Sequence, residues 1–280
     1  MKKQFLLPGK LPIQLLLTVI MLFSFGAAVP CQYPGINDSI AKYRKGLITI
    51  KAKKGDQVTV EQIRHEFWFG CAIPNNFAGG MSASNLSMFR QKFLENFNAA
   101  VTENALKWMI MEPRKDQVNY SVIDSILNWT EKNNIPLRGH NLFWGIVRSP
   151  NTGQQYVQQW VMDLSDEELR QRIKDRAELI TKKYKGRFTE YDMNNEMIHG
   201  NYYEDRLGPE ITKLMAEWAH NGDPEAKLWL NDYDILIPKQ ESPLGIGLPE
   251  YLAQIRNLLN QGIPIAGIGV QGHSHLETFD

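Results

Sequence analysis

The chain has 280 residues, of which 43% are hydrophobic, and this is enough to bury one sizeable core, so one large α/β domain is the first expectation. Lys and Arg together number 31, as do Asp and Glu, which gives a formal net charge of zero at pH 7. This balance gives no electrostatic reason to expect a protein that binds nucleic acid or an anionic membrane, and it favours a neutral partner over a polyanion.

The N-terminal 28 residues have the pattern of an export signal. Lys2, Lys3 and Lys10 precede an apolar run over residues 11–25, and small residues follow at 26–28. The run is short for a membrane span, which needs about 20 apolar residues. We therefore predict a cleaved signal peptide over residues 1–28 and a secreted protein, extracellular or periplasmic, with no membrane contact after cleavage. An uncleaved N-terminal anchor is the alternative.

Residues 29–65 are predicted to form an N-terminal extension with a short hairpin. Apolar residues at 47–51 and 57–60 flank a polar turn at 53–56. The two cysteines of the chain are Cys31, in this extension, and Cys71, in the first predicted strand of the domain that follows. Because Cys31 lies in a predicted tail and Cys71 in a predicted buried strand, a disulfide bond between these cysteines cannot be assumed.

From residue 66 onward, short apolar runs alternate with stretches of helical periodicity. The runs predicted as strands are residues 67–73, 97–102, 136–144, 188–195, 228–232 and 265–271. The predicted helices are residues 83–96, 122–132, 166–184, 210–219 and 248–261. The third helix begins with a capping box of Ser165 and Glu168, and Gly186 marks its end. Such alternation is typical of a parallel sheet covered by helices.

Polar residues follow the predicted strands. Five strand ends carry such groups: Glu103 with Asn104, His140 with Asn141, Asn195 with Glu196, Asn231 with Asp232, and Gln271 with His273. In a (β/α)₈ barrel the C-terminal ends of all strands converge on one face, which carries the active site. A doubly wound dinucleotide-binding sheet is disfavoured, because no Gly-x-Gly-x-x-Gly follows the first strand. We therefore predict an α/β TIM barrel over residues 66–280, with only about the first six β/α units present.

Seven short motifs occur in order from residue 69 almost to the end of the chain. They are Phe69-Gly70-Cys71-Ala72-Ile73, Thr102-Glu103-Asn104-Ala105-Leu106-Lys107-Trp108, Glu112-Pro113, Arg138-Gly139-His140-Asn141-Leu142-Phe143-Trp144, Tyr191-Asp192-Met193-Asn194-Asn195-Glu196, Asn231-Asp232-Tyr233 and Gly267-Ile268-Gly269-Val270-Gln271-Gly272-His273. Each motif is weak alone, but the ordered set resembles glycoside hydrolase family 10, the endo-β-1,4-xylanases. Residues 194–208 resemble the divergent plant-type branch of that family. The resemblance implies a retaining endo-glycosidase that hydrolyses internal β-1,4-xylosidic linkages of xylan.

The resemblance gives the Asn195-Glu196 pair the central role. Glu196 matches the family's general acid/base, which protonates the glycosidic oxygen and later deprotonates a water molecule. Asn195 matches the amide that hydrogen-bonds the 2-hydroxyl of the sugar at the cleavage site. For the dipeptide alone, the alternatives are a structurally paired Glu and a turn or capping Asn at a strand end.

Residues of the second and fourth motifs match positions that contact sugar. Glu103, Asn104 and Lys107 correspond to the polar wall of the sugar subsites, although such groups also occur at a solvated helix start. Trp144 is the stronger candidate for an apolar platform under a sugar ring, and Trp108 is the weaker one. Either tryptophan could instead belong to the core.

The remaining candidates are His140, Gln271 and His273, which match positions near the substrate or the carboxylate of the nucleophile. A histidine inside a barrel can instead be a core residue with its hydrogen bonds satisfied. His273 and His275 also form a His-x-His pair, which would fit a metal site. Since no cluster of cysteines accompanies the pair, we predict no metal ion and no cofactor.

The second carboxylate of a retaining glycosidase lies about 5–5.5 Å from the first. In this family it is a Glu in a Thr-Glu motif at the end of the seventh strand. Glu277 follows His273 too closely to lie on that strand. The nucleophile is therefore expected beyond residue 280, and the chain is expected to be truncated at its C-terminus and inactive by itself.

The predicted partner is a polysaccharide, either xylan or a related β-1,4-glycan, and we expect a monomer that binds no nucleic acid. Where many family members continue the Trp144 motif with a His and a nearby Gln, this chain has Gly145-Ile146-Val147-Arg148. The contacts to the inner sugar are therefore altered. The alternatives are a barrel glycosidase for another β-1,4-glycan and a non-catalytic carbohydrate-binding fragment.

Overall fold

The computed structural model describes residues 36–63, 65–149, 152–237, 242 and 245–273. The predicted signal peptide lies outside these residues, as do Cys31, His275 and Glu277. The chain divides into two units, residues 1–63 and 64–280. Among the described residues, no helix has both the length and the apolar character that crossing a bilayer requires.

Within the described part of the first unit, residues 36–63, the helix α1 (Ile36–Tyr43) is followed by a segment without regular structure. The predicted turn is present, because the Asp56 amide donates to the carbonyl of Lys53 at 3.1 Å. The strands of the predicted hairpin are not formed, so this part of the prediction was wrong. The side chains of Leu47 and Ile48 are 94% and 79% exposed. A two-stranded hairpin without a surface to pack against is at best marginally stable in water.

The second unit is built on a sheet of six parallel strands, which confirms the six predicted ones. These are β1 (Gly70–Ile73), β2 (Ala99–Thr102), β3 (Leu137–Gly139), β5 (Glu190–Asp192), β7 (Leu228–Asp232) and β8 (Ile265–Val270). Two further short strands, β4 (Phe143–Trp144) and β6 (Asn194–Asn195), pair with each other. The predicted runs 136–144 and 188–195 are therefore each divided between two strands.

The strands of the large sheet follow one another in sequence order, β1-β2-β3-β5-β7-β8. A doubly wound sheet reverses its strand order at a switch point, where its ligand binds. No reversal occurs in the described sheet. The arrangement is that of the first six strands of a (β/α)₈ barrel, as predicted.

Helices separate these strands along the chain. The longer ones are α2 (Ala83–Asn96), α4 (Ser121–Lys132), α6 (Asp166–Lys183), α8 (Glu210–Gly222) and α9 (Leu248–Asn260), and the shorter ones are α3 (Trp108–Met111), α5 (Gln159–Met162) and α7 (Tyr202–Leu207). The five longer helices are the five predicted ones. The capping box of α6 is present, since the Ser165 amide donates to Glu168 at 2.9 Å and the Glu168 amide donates to the Ser165 hydroxyl.

The core lies between the sheet and these helices. Leu169 and Ile173 of α6 and Ile211 of α8 are completely buried, as is Ile126 of α4, while Leu228 of β7 is 1% exposed. Burying an aliphatic side chain of this size stabilises the fold by about 1.5–3 kcal/mol. The packed core therefore holds the strands in one parallel register, which brings their C-terminal ends to the same edge of the sheet.

Candidate active site

Glu196 lies directly after β6, and both of its carboxylate oxygens accept hydrogen bonds. The indole N–H of Trp144 donates to Oε2 at 2.7 Å, and the amide of Gln271 donates to Oε1 at 2.7 Å. Glu196 is 9% exposed. Three of the predicted site residues therefore form one cluster around a buried carboxylate.

Strand pairing explains why these distant residues meet. In the ladder of β4 and β6, Phe143 lies opposite Asn194 and Trp144 lies opposite Asn195. On the other side, the backbone amide of Glu196 donates to the carbonyl of Asn231 at the end of β7. The position of Glu196 thus depends on the pairing of β6 with β4 on one side and on the backbone hydrogen bond to β7 on the other.

Asn195 is 1% exposed, and the NH2 group of its side chain is unpaired among the described residues. Its Oδ1 accepts a hydrogen bond from Nδ2 of Asn231 at 3.0 Å. Its own Nδ2 is buried and has no partner among the described residues. Leaving a buried donor unpaired costs about 1–3 kcal/mol. This unpaired N–H group belongs to the residue directly before Glu196 in the sequence.

Lys107 joins the cluster from the loop after β2. Its Nζ donates to Oδ1 of Asn104 at 2.9 Å and lies 4.5 Å from the centre of the Trp144 ring. Burial lowers the pKa of the Lys107 ammonium, and the negative charges of Glu196 and Glu103 oppose this shift. Glu103 itself is exposed. Lys107 therefore lies close to Asn104 and Trp144, and the role of these residues as a wall of the sugar subsites stays a prediction.

The two candidate tryptophans have different surroundings. The Trp108 side chain is buried, and its N–H donates to Glu112 at 2.9 Å, so Trp108 is a core residue. Trp144 is only half-buried, and its ring stacks on Tyr156 with 4.1 Å between the ring centres. Because Tyr156 already contacts this ring, the platform role of Trp144 stays a prediction.

A cavity of about 310 Å³ lies beside this cluster. Its lining includes the predicted residues Asn104, Lys107 and Trp144, together with Asn75 and Tyr156. A larger, mostly apolar cavity of about 670 Å³ lies between β1 and α2, and no predicted site residue lines it. The chemistry of the smaller cavity, with amide, ammonium and aromatic groups, suits a polar uncharged ligand.

His140 belongs to a second network at the same edge of the sheet. Its Nδ1 lies 2.7 Å from Oδ2 of Asp192, whose other oxygen accepts from the guanidinium of Arg138. Burial acts to raise the pKa of Asp192, but His140 and Arg138 outweigh it and hold that pKa below its usual value. Asp192 therefore orients His140, and no described hydrogen bond joins His140 to Glu196.

His273 is the one predicted site residue that the structure leaves apart. It is exposed and makes no hydrogen bond or ion pair with any described residue. Its partner in the His-x-His pair, His275, lies outside the described part of the chain. Within the described residues, no group of three or more His, Cys, Asp or Glu side chains is arranged to hold a metal ion.

Several site residues were absent from the prediction. Asp192 and Asp232 both occur in the motifs, and Asp232 is one of the polar residues at the strand ends, but the motifs alone do not indicate what either carboxylate contacts. Tyr156 gave no signal, because it lies in an irregular loop with no periodicity around it. Only the folded chain brings its ring against Trp144.

The chain is similar to known proteins of one family. A family model described as Glycosyl hydrolase family 10 matches residues 60–280. Endo-1,4-beta-xylanase 1 of Arabidopsis thaliana is 40% identical over 225 residues, which are 78% of this chain and 22% of that protein. Endo-1,4-beta-xylanase 3 of the same plant is 38% identical over 182 residues, which are 65% of this chain and 23% of that protein.

Solved structures give the same result. Native xylanase 10B from Thermotoga maritima superposes with a TM-score of 0.63 and 26% identity, covering 76% of this chain and 63% of that one. Xylanase 10B from Thermotoga petrophila RKU-1, solved with xylobiose, has a TM-score of 0.62 and 27% identity, covering 74% and 60%. The chain thus spans under a quarter of those two plant proteins and under two thirds of these solved chains.

Proposed function

Because the chain belongs to glycosyl hydrolase family 10, whose model matches residues 60–280, we propose that it carries the acid/base side of a retaining endo-β-1,4-xylanase. Glu196 protonates the glycosidic oxygen in the first step and deprotonates the attacking water in the second. The observation that carries this proposal is the buried Glu196 carboxylate, held at both oxygens by Trp144 and Gln271 at the C-terminal edge of the sheet.

The sugar at the cleavage site is held by the groups around that carboxylate. The unpaired Nδ2 of Asn195 donates to the 2-hydroxyl, a contact that strengthens as the oxocarbenium-like transition state forms. Lys107 and Asn104, with Glu103 at the rim, present donors and acceptors to neighbouring hydroxyls. His140, Trp144, Gln271 and His273 complete the proposed substrate contacts.

The nucleophile in this proposal is a Glu beyond residue 280, so residues 29–280 bind xylan but do not complete the double displacement. Reading the coding sequence past codon 280 tests this, and a strand end carrying Thr-Glu is expected there. Hydrolysis of xylan with retention by residues 29–280, at a rate comparable to complete relatives, would contradict it.

The wider setting is proposed on the same basis. The protein is secreted after removal of residues 1–28 and acts as a monomer on an extracellular polysaccharide, and the chain up to residue 280 includes an extension over 29–65 and a barrel domain from 66. The division of the chain between residues 63 and 64 lies close to this boundary, and the family match starts at residue 60, within the proposed extension. Protein sequencing of the N-terminus of the secreted material tests the cleavage after Ala28.

Binding measurements test the substrate class. Calorimetric titration of the purified chain with xylohexaose, cellohexaose and mannohexaose should give tight binding for xylohexaose alone. Glu196→Gln, which keeps the shape and polarity of the side chain, should bind xylohexaose as the parent does. Equal or tighter binding of cellohexaose or mannohexaose would overturn the assignment to xylan.

A further inference from the structure

The backbone of Glu196 has a left-handed conformation, with φ of 60°. For a residue other than glycine, such a conformation costs about 1–3 kcal/mol and persists only where the surrounding structure enforces it. Glu196 opens a tight turn, which the backbone amide of His199 closes by donating to the carbonyl of Glu196 at 3.0 Å. The direction of the Glu196 side chain therefore depends on whatever holds this turn.

Asp232, the last residue of β7, holds the turn through its carboxylate. Its Oδ1 lies 2.6 Å from Nδ1 of His199, and its Oδ2 accepts the backbone N–H of Ile198 at 3.2 Å. The side chains of His199 and Asp232 are 0% and 1% exposed. One carboxylate thus binds both the backbone and a side chain of the turn that begins at Glu196.

Tyr233 covers the other side of this pair. Its ring stacks on the His199 ring with 3.7 Å between the centres and 17° between the planes. Burial raises the pKa of Tyr233 to about 12, and the negative charge of Glu196 adds to this shift. The stacked ring leaves His199 little freedom to rotate away from Asp232.

We propose that His199 and Asp232 are positioning residues, which hold Glu196 in its left-handed conformation so that its carboxylate meets Trp144 and Gln271. The proposal rests on the acid/base role of Glu196 given above. Because the side chains of His199 and Asp232 are buried, neither is placed to contact the sugar directly. They act through the turn, because both anchors of the turn, the Asn231 carbonyl and the Asp232 carboxylate, lie at the end of β7.

If His199 and Asp232 only stabilised the fold and did not position Glu196, their removal would have a different effect. Their removal would then lower the stability of the whole unit but leave the hydrogen bond between Trp144 and Glu196 intact in the molecules that remain folded. A positioning pair controls that hydrogen bond directly. The discriminating observable is therefore the indole N–H of Trp144, whose proton resonance moves when its carboxylate acceptor is lost.

The experiment records ¹H–¹⁵N spectra of the whole chain and needs no turnover. Trp144→Phe assigns the indole resonance, and Glu196→Ala defines its position without the acceptor. His199→Leu should move the resonance at least halfway to the Glu196→Ala position. His199→Asn, whose Nδ2 occupies the place of the imidazole Nδ1, should keep it near the parent position.

Two further variants make the result decisive. His220→Leu removes another hydrogen-bonded histidine, which contacts the Ala226 carbonyl and not this cluster, and it should leave the Trp144 resonance unmoved. If His199→Leu does not fold, Asp232→Asn decides instead, since it keeps the shape and removes the charge. A folded His199→Leu or Asp232→Asn protein with the Trp144 resonance at the parent position would overturn the proposal. Failure of the xylan assignment would appear separately, in the oligosaccharide titrations.

Discussion

At the scale of single residues, the carboxylate of Glu196 depends on neutral donors that lie far away in the sequence. Trp144 is 52 residues before it and Gln271 is 75 residues after it. Two donors on different oxygens leave the carboxylate one orientation, which an acid/base group needs in order to reach a particular glycosidic oxygen. Each donor can be removed individually to measure what this orientation contributes.

Trp144→Phe should lower the free energy of unfolding by about 1–3 kcal/mol, because it leaves a buried charged acceptor without its donor. Trp160→Phe is the matched control, since the N–H of Trp160 donates to the uncharged backbone carbonyl of Glu112. The control should lose only about 0.5–1.5 kcal/mol. Urea unfolding of both variants measures the difference, and an equal loss in the two would contradict the special role of the Trp144 bond.

Asn195→Ala should weaken the binding of xylohexaose about threefold to tenfold, the effect of losing one hydrogen bond of about 0.7–1.4 kcal/mol. The physical reason is the loss of the unpaired Nδ2 donor beside Glu196. Asn133→Ala, in the loop between α4 and β3, removes an amide bonded to the Trp129 carbonyl and should leave binding unchanged. Calorimetric titration measures both, and unaltered affinity in Asn195→Ala would contradict the proposed 2-hydroxyl contact.

At the scale of elements, helix α6 positions two loops of the candidate site from behind. Arg176 of α6 is buried, and its guanidinium donates to the carbonyl of Leu142 at 2.7 Å and to the carbonyl of Leu106 at 2.6 Å. Leu142 directly precedes β4, which carries Trp144, and Leu106 precedes Lys107 in the loop after β2. Burial lowers the pKa of Arg176 to about 10, so the group stays charged at neutral pH. One helix residue thus holds both loops together.

Arg176→Met should lower the free energy of unfolding by about 2–3 kcal/mol, because two buried carbonyls lose a charged donor. Arg176→Lys, whose ammonium group can reach one of the two carbonyls at most, should lower the free energy of unfolding by a smaller amount than Arg176→Met. Arg170→Met on the same helix is the control, since Arg170 makes one longer bond of 3.3 Å to the Leu207 carbonyl, and it should change stability by about 1 kcal/mol or less. Urea unfolding compares the three, and a loss in Arg176→Met no larger than that of the control would refute this role.

At the scale of the whole molecule, the stability of the fold in acid depends on buried carboxylates that link neighbouring strands. Arg138 of β3 contacts both Asp192 and Glu190 of β5. Burial raises the pKa of Glu190 against the opposing effect of Arg138, whereas His140 and Arg138 together hold the pKa of Asp192 below its usual value. A fall in pH therefore changes their contributions to the free energy of unfolding in opposite directions. It removes the stabilisation by Asp192, whereas it relieves the cost of burying the charge of Glu190.

The depressed pKa of Asp192 predicts a specific pH dependence. Its contribution to stability is fully present above its ordinary pKa of 3.8 and is lost as the pH falls through the lower value of the folded state. The difference in unfolding free energy between the parent and Asp192→Asn should therefore shrink as the pH falls below that ordinary value. Urea unfolding between about pH 2 and pH 6 measures it, and a difference that is constant or grows in acid would contradict the assignment.

The order of strands and helices was predictable from local patterns. Apolar periodicity, the capping box at Ser165 and the glycine at 186 act over a few residues, so the sequence alone places these elements. The hairpin over residues 47–60 was the exception. Its pattern is typical of a hairpin, but apolar side chains such as Leu47 are exposed and do not pack on the described part of the chain.

The sequence by itself determined the fold class and the set of strand-end residues, because polar groups after apolar runs are readable without coordinates. Only the tertiary structure decided which of them act together. Strand register pairs Trp144 with Asn195 and so brings its indole to Glu196, whereas Trp108 is buried in the core. The tertiary structure also joins His140 to Asp192 and places His199 against Asp232, and it leaves His273 apart from both pairs. These are contacts through space between residues tens of positions apart, and no local pattern encodes them.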